Sequence, residues 1–352
     1  MAVYRILSGS PGQPQGYGGG VVRRETRQTP EWSRGRGTIS LVTRRLFYCD
    51  HYAIPLPPGH KFPAEKYALL RALLTADGCY DLQPAPLADP SAIELAHDAG
   101  YVRQFLNGTL DTRTMRRIGF PWSKELVRRT LASVGGTLAA AAEALATGFG
   151  GNLAGGMHHA FHAEGSGFCV FNDLAIAILA LRRDGDIRRA AVIDLDVHQG
   201  DGTASIFEDD PAVLTVSIHG ENNFPSRKQR SGIDIGLPDG TGDEQYLTRL
   251  REVLPAIADF RPDILFYQSG VDTLAGDRLG RLQLTHEGLM ERDHAVFEFT
   301  KALEIRVVVT LGGGYADPIA RTAEAHANTY RVAALVFTQP ETPGGRAASL
   351  KC

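Results

Sequence analysis

The chain has 352 residues, 43% of them hydrophobic and 22% charged, with a formal net charge of −3. That is ordinary globular composition, and the near-neutral balance gives no electrostatic case for nucleic acid as a partner. No run approaches the roughly 18 apolar residues of a membrane span, so no membrane partner is expected.

Cys49, Cys79, Cys169 and Cys352 are scattered, with no Cys-x-x-Cys pair. They suggest neither a disulfide framework nor a thiolate zinc site, and a cytoplasmic setting is the default. Nothing in the sequence fixes an oligomeric state.

Residues 1–45 are rich in Gly, Pro, Gln and Arg, with Glu25 and Glu31 as their only acids. They read as a disordered N-terminal extension. The alternative is an organelle-targeting segment, but no amphipathic apolar face is visible. A single folded domain is expected over 46–340, with a flexible tail over 341–352.

Residues 47–49 read as a first strand. Pro63 opens a helix through Leu74, as Pro does at the first helical position. A long Ala-rich helix is expected over 122–146, ended by Gly148. Another runs over 171–183, stopped by Asp184-Gly185. Residues 152–155, 190–196 and 213–219 are apolar runs of strand length. Asp243–Phe260 is helical and Ile264–Gln268 a strand. Thr285 caps a helix running to Leu303. Residues 307–311 form a buried strand, and Pro318 opens the last long helix. Strands alternate with helices, which predicts an α/β fold. Its sheet is open and largely parallel, with helices on both faces.

In such a sheet, ligands bind outside the carboxyl ends of the strands. The ionisable residues of this chain collect there. In Ile193-Asp194-Leu195-Asp196-Val197-His198, strand alternation puts Asp194, Asp196 and His198 on one side. Three ionisable groups on a buried strand end need compensation, and a metal ion supplies it. The bland alternative is a salt-bridged strand end. Asp272 follows the next strand. It is either a helix N-cap or, with Asp196 and His198, the third ligand of a zinc site.

His158 and His159 follow Gly155-Gly156, which can turn both rings into a cavity. A general base is needed beside a metal-bound water. Asp194 and Asp201 are the acids available to orient the two rings. Tyr315 follows Gly312-Gly313-Gly314, where a phenol could donate to a developing oxyanion. This loop has neither the Lys-Ser/Thr of a P-loop nor dinucleotide spacing.

These residues resemble the histone deacetylase family, within the arginase–deacetylase fold. The matching stretches are Gly155-Gly156-Met157-His158-His159-Ala160, the segment 165–173, residues 193–202, 270–277 and 311–315. They occur in the family's order. Gln199, Arg117-Ile118-Gly119-Phe120-Pro121-Trp122 and Asp277-Arg278-Leu279-Gly280 are similar to the class IV branch and its bacterial relatives.

The resemblance implies that Asp196, His198 and Asp272 bind Zn2+. It implies that His158 and His159, partnered by Asp194 and Asp201, activate water and protonate the leaving amine, and that Tyr315 stabilises the oxyanion. Gly167 and Phe168 line the substrate tunnel, Phe224 is its second wall, and Leu279 lies at the rim. Asp194 and Ser217 match a structural K+ or Na+ site, and Phe207, Asp210 and Val213 a second one. Cys169 is a packing residue without a nucleophilic role.

The expected activity is zinc-dependent hydrolysis of an acylated amine, acetyl-lysine in a protein above all. An acetylated polyamine or a long-chain acyl-lysine are alternatives on the same site. An arginase-like ureohydrolase and a non-catalytic acyl-lysine binder are the rivals from other classes.

Overall fold

The computed structural model describes residues 44–338. The expectations for the tail and for nearly all of the N-terminal extension lie outside those residues. Eight strands form one sheet: β1 (Arg45–Tyr48), β2 (Asp81–Pro84), β3 (Phe149–Asn152), β4 (Ala190–Asp194), β5 (Val213–Gly220), β6 (Ile233–Leu237), β7 (Ile264–Gln268) and β8 (Arg306–Thr310). Their order is β2-β1-β3-β8-β7-β4-β5-β6. Every neighbouring pair is parallel. All residues of β3, β4 and β7 are buried, as expected for parallel strands covered on both faces.

The helices are α1 (Glu65–Asp77), α2 (Pro90–Ile93), α3 (Ala99–Asn107), α4 (Thr112–Ile118), α5 (Lys124–Thr147), α6 (Asp173–Asp184), α7 (Asp201–Phe207), α8 (Asp243–Phe260), α9 (His286–Ala302) and α10 (Ala320–Thr338). Helix and strand alternate around one core, so the described residues form a single α/β domain.

Local chemistry fixes the boundaries. Helix α5 begins later than residue 122, because extended Ser123 accepts a hydrogen bond from Leu126 N, 3.0 Å away. Trp122 stays outside and donates its indole N–H to Phe105 O. Helix α1 likewise starts at Glu65, with Pro63 just before it. Strand β4 stops at Asp194, two residues short of the expected end. There Asp194 Oδ1 takes the N–H of Asp196, and Asp196 Oδ1 takes the N–H of His198. Side chains replace the ladder partners and the strand ends.

Strands β2 and β6 and helices α2, α3, α4 and α7 were not expected. All but α3 are seven residues or shorter, and short elements leave little periodicity to read. Strand β3 lies three residues earlier than expected because Gly150-Gly151 sits inside it. A Cβ at Gly150 would lie 1.9 Å from Ala140 O on α5. Helix and sheet meet there backbone to backbone.

Cys49 and Cys169 are buried free thiols.

Candidate active site

Five loops converge past the carboxyl ends of β3, β4, β5, β7 and β8. The loop after β4 brings Asp196 and His198, and the loop after β7 brings Asp272. One ligand atom from each lies within 4.8 Å of the others. His198 Nδ1 is 3.0 Å from Asp196 Oδ1 and 3.1 Å from Asp272 Oδ2. Asp272 Oδ1 accepts the N–H of Val197 at 2.8 Å, while the buried Oδ2 faces His198 Nδ1 and has no well-aligned hydrogen bond among the described residues.

The loop after β8 closes over this triad. Gly313 N donates to Asp196 Oδ2 at 2.6 Å, and a Cβ there would stand 1.8 Å from Asp272 Oδ2. Burial opposes charge on His198, yet Asp196 and Asp272 overcome it and raise the imidazole to about 10. Burial and the neighbouring Asp196 raise Asp272 to about 7. The cluster therefore favours positive charge between its two carboxylates. Two carboxylates and an imidazole, converging with one carboxylate oxygen lacking a well-aligned donor, are a donor set that fits zinc.

The expected alternation along β4 is replaced by this loop geometry, but the residues still meet. His158 Nδ1 lies 2.7 Å from Asp194 Oδ2, and His159 Nδ1 lies 2.6 Å from Asp201 Oδ1. The two rings are 4.1 Å apart. His158 Nε2 is 3.9 Å from Asp196 Oδ1. Gly156 and Met157 set up the turn by donating to the Asp173 carboxylate at 3.0 and 2.7 Å.

The two histidines differ electrostatically. Burial opposes charge on both. For His158, Asp194 and Asp196 outweigh it and the ring rises to about 9. For His159, burial and the neighbouring His158 prevail over Asp201 and lower it to about 4. The two rings are thus biased in opposite directions, His158 toward the charged form and His159 toward the neutral one.

Tyr315 borders the same cavity, of about 810 Å³, as both histidines, Asp196 and His198. Its N–H donates to Asp277 Oδ2 at 2.6 Å. Its hydroxyl has no hydrogen-bond partner among the described residues. Gly167, Phe168, Phe224 and Leu279 also line the cavity. Phe168 has a left-handed φ of 65° and is fixed by its N–H to Ile118 O at 2.8 Å. The Phe224 ring stands edge-on to His159, 4.9 Å away. Asn223 Nδ2 donates to Leu279 O at 2.8 Å and ties the two rim loops.

Asp194 and Ser217 are register partners on β4 and β5, with Ser217 Oγ 2.9 Å from His219 Nδ1. The Asp210 carboxylate pairs with Arg182, so its side chain is already neutralised. Burial raises the Cys169 thiol well above its ordinary value, which suppresses the nucleophilic thiolate.

Sequence reasoning missed Lys66. Its ammonium is buried under the glycine loop and donates to Gly312 O at 3.1 Å and Gly314 O at 3.5 Å. It also lies 5.4 Å from the Tyr315 ring centroid. The available signal was a lysine in register with Leu70 and Leu74, on the apolar stripe of a helix.

An all-parallel sheet carrying this cluster at its strand ends is an α/β domain of the arginase–deacetylase type. Two solved structures share the fold. One is an acetylpolyamine aminohydrolase from Burkholderia pseudomallei, with a TM-score of 0.69, 23% identity, and coverage of 83% of this chain and 99% of that one. The other is the HDA15 HD domain, with a TM-score of 0.68, 21% identity, and coverage of 83% and 90%.

The histone deacetylase domain model matches residues 60–330, and the chain belongs to the histone deacetylase family. It is 31% identical to histone deacetylase 2 of Arabidopsis thaliana, over 86% of this chain and 82% of that protein. It is 46% identical to an uncharacterized protein of Picosynechococcus sp., over 83% of this chain and 99% of that protein.

Proposed function

We propose that this deacetylase domain is a zinc-dependent amidohydrolase that removes acyl groups from acylated amines, acetyl-lysine in proteins first among them. The observation that carries the proposal is one cavity holding three things. These are a carboxylate–imidazole triad, two adjacent histidines each oriented by a carboxylate, and a phenol with no hydrogen-bond partner among the described residues.

Asp196, His198 and Asp272 would hold zinc, which supplies Lewis acidity for the acyl carbonyl and the attacking water. His159 is the neutral ring. Asp201 at Nδ1 leaves Nε2 as the base that takes a proton from water. His158 is the charged ring and gives the Nε2 proton to the departing amine. Water adds at the carbonyl carbon, the C–N bond breaks, and a carboxylate and an amine leave. The Tyr315 hydroxyl donates to the developing oxyanion. Gly167, Phe168 and Phe224 wall the acyl-bearing chain, with Leu279 at the rim.

The same reading assigns Asp194 and Ser217 to a structural K+ or Na+ ion. On Gln199 and Asp277-Arg278-Leu279-Gly280 it sets the chain nearest the class IV branch. A single metal-ligating cluster among the described residues favours this over a dimetal ureohydrolase.

Metal analysis paired with acetate release from an acetyl-lysine peptide tests the proposal. One zinc per chain is expected, and Asp196→Ala or His198→Ala should lose metal and activity together. Full activity in either variant without metal would overturn the zinc assignment.

A further inference from the structure

The mouth of the cavity has a charge that the reaction does not require. Arg117, Arg227 and Arg281 line it, all three exposed. The acid at the mouth is the half-buried Glu164, and it is ion-paired with Arg117. Arg281 pairs with Asp239 at 3.1 Å, across solvent-exposed side chains. Arg227 has no ion pair among the described residues.

Arg227 also belongs to a basic run, Ser226-Arg227-Lys228-Gln229-Arg230. This run is fixed rather than loose. Gln199, buried beside His198, donates from Nε2 to Gln229 O at 2.7 Å and accepts from Gln229 N at 2.8 Å. Its Nε2 also reaches Asp234 Oδ1 at 2.7 Å. Lys228 Nζ donates to Asn223 O at 2.6 Å and Pro225 O at 2.7 Å, around the loop that carries Phe224. A side-chain amide beside a metal-ligand candidate thus clamps the backbone that presents Arg227.

We propose that this arginine rim reads the charge around the acylated amine and selects acyl-lysine in an acidic peptide, with Arg227 as the specificity-determining residue. The inference rests on the deacylase reading and narrows its substrate. A guanidinium presents a planar fork that matches a carboxylate. The clamp pre-orders the backbone, so less freedom is lost on binding. A polyamine carries its remaining amines as cations into the same rim, where like charges repel.

The test uses three acetyl-lysine peptides identical except for acidic, neutral or basic flanks, with an acetylated polyamine as a fourth probe. The expected order of kcat/KM is acidic, neutral, basic, with the polyamine last. Each engaged exposed arginine should be worth roughly twofold to fivefold. The acidic-to-basic ratio should shrink in about 1 M salt, where the Debye length is about 3 Å. Arg227→Gln should lower the ratio, and Arg227→Glu should reverse its direction.

The same ratio is read in the affinities of the three peptides for zinc-loaded enzyme at a temperature where none is cleaved. An absence of turnover would therefore fall on the deacylase reading alone. Basic peptides or polyamine handled as well as the acidic peptide would overturn the proposal. So would a ratio unmoved by salt and by both Arg227 variants.

Discussion

Tyr315 offers the sharpest separation of binding from chemistry. Tyr315→Phe removes a hydroxyl that no described residue uses and leaves the triad intact. Turnover should fall by roughly 10²–10³-fold, the usual loss for one oxyanion donor. Zinc content and the affinity of an uncleaved acyl-lysine peptide should hold, because the donor acts in the transition state. Equal turnover in the two proteins would return Tyr315 to a structural part.

His158→Ala and His159→Ala should each keep zinc and lose about 10²–10⁴-fold in turnover. Unchanged rates in both would show that water is activated elsewhere. The histidines, the triad and Tyr315 were legible in the sequence because each lies within about seven residues of a strand's carboxyl end. Lys66 was not, because its acceptors are backbone carbonyls 246 and 248 residues away.

Burial pulls the Lys66 ammonium down to about 8, against Asp272, Asp196 and Asp277, from an ordinary 10.5. Between those pH values the unfolded chain holds a proton that the folded chain has released. Stability therefore gains as pH rises from about 8 to 10.5, by at most about 3 kcal/mol. Below about 8 the buried charge is a standing cost. Lys66→Met should remove that pH-dependent rise while slackening the Gly312–Gly314 carbonyls and lowering turnover. Denaturant midpoints across this pH range, for both proteins, check the sign. Identical pH profiles would refute it.

Among the elements, the decisive contacts are backbone approaches at glycine. Gly150 lets β3 touch the Ala140 carbonyl of α5, where a Cβ would sit 1.9 Å away. Gly150→Ala must push helix from sheet, and overpacking of this kind costs about 1–3 kcal/mol. A urea midpoint within error of wild type would rule out that close packing. Gly313→Ala acts on the site instead. Its Cβ would collide with Asp272 Oδ2 at 1.8 Å, so metal affinity should fall more than stability.

The long α8 was legible, and so was β7 as a wholly buried apolar run; the bounds of both match the sequence reading. The end of β4 was not. Pattern counts side chains, whereas here the aspartates took over backbone partners. Gly150-Gly151 hid β3 for a related reason, since glycine in a strand leaves no side-chain alternation to read.

For the whole molecule, the proposed zinc site would make metal part of stability, because Asp196 and Asp272 are buried carboxylates. An ion bound at about 100 times its Kd adds about 2.7 kcal/mol to the folded state. Chelation should lower Tm, and added zinc should restore it. A Tm indifferent to chelator, with zinc shown to be gone, would mean that the cluster is satisfied without an ion.

The strand order also has a consequence for biosynthesis. Strands β7 and β8 are made last, yet they sit between β3 and β4 in the middle of the sheet. Until the ribosome has released them, the two earlier halves each carry a bare inner edge, and such edges are templates for intermolecular pairing. A nascent chain halted before Ile264 would have no centre to its sheet and would lack Asp272 and Tyr315. The same chain released as a fragment should precipitate or stay bound to a holdase, while the complete chain remains in solution. Synthesis of the stretch from β7 to Tyr315 thus joins the two halves and brings Asp272 to Asp196 and His198 in a single event.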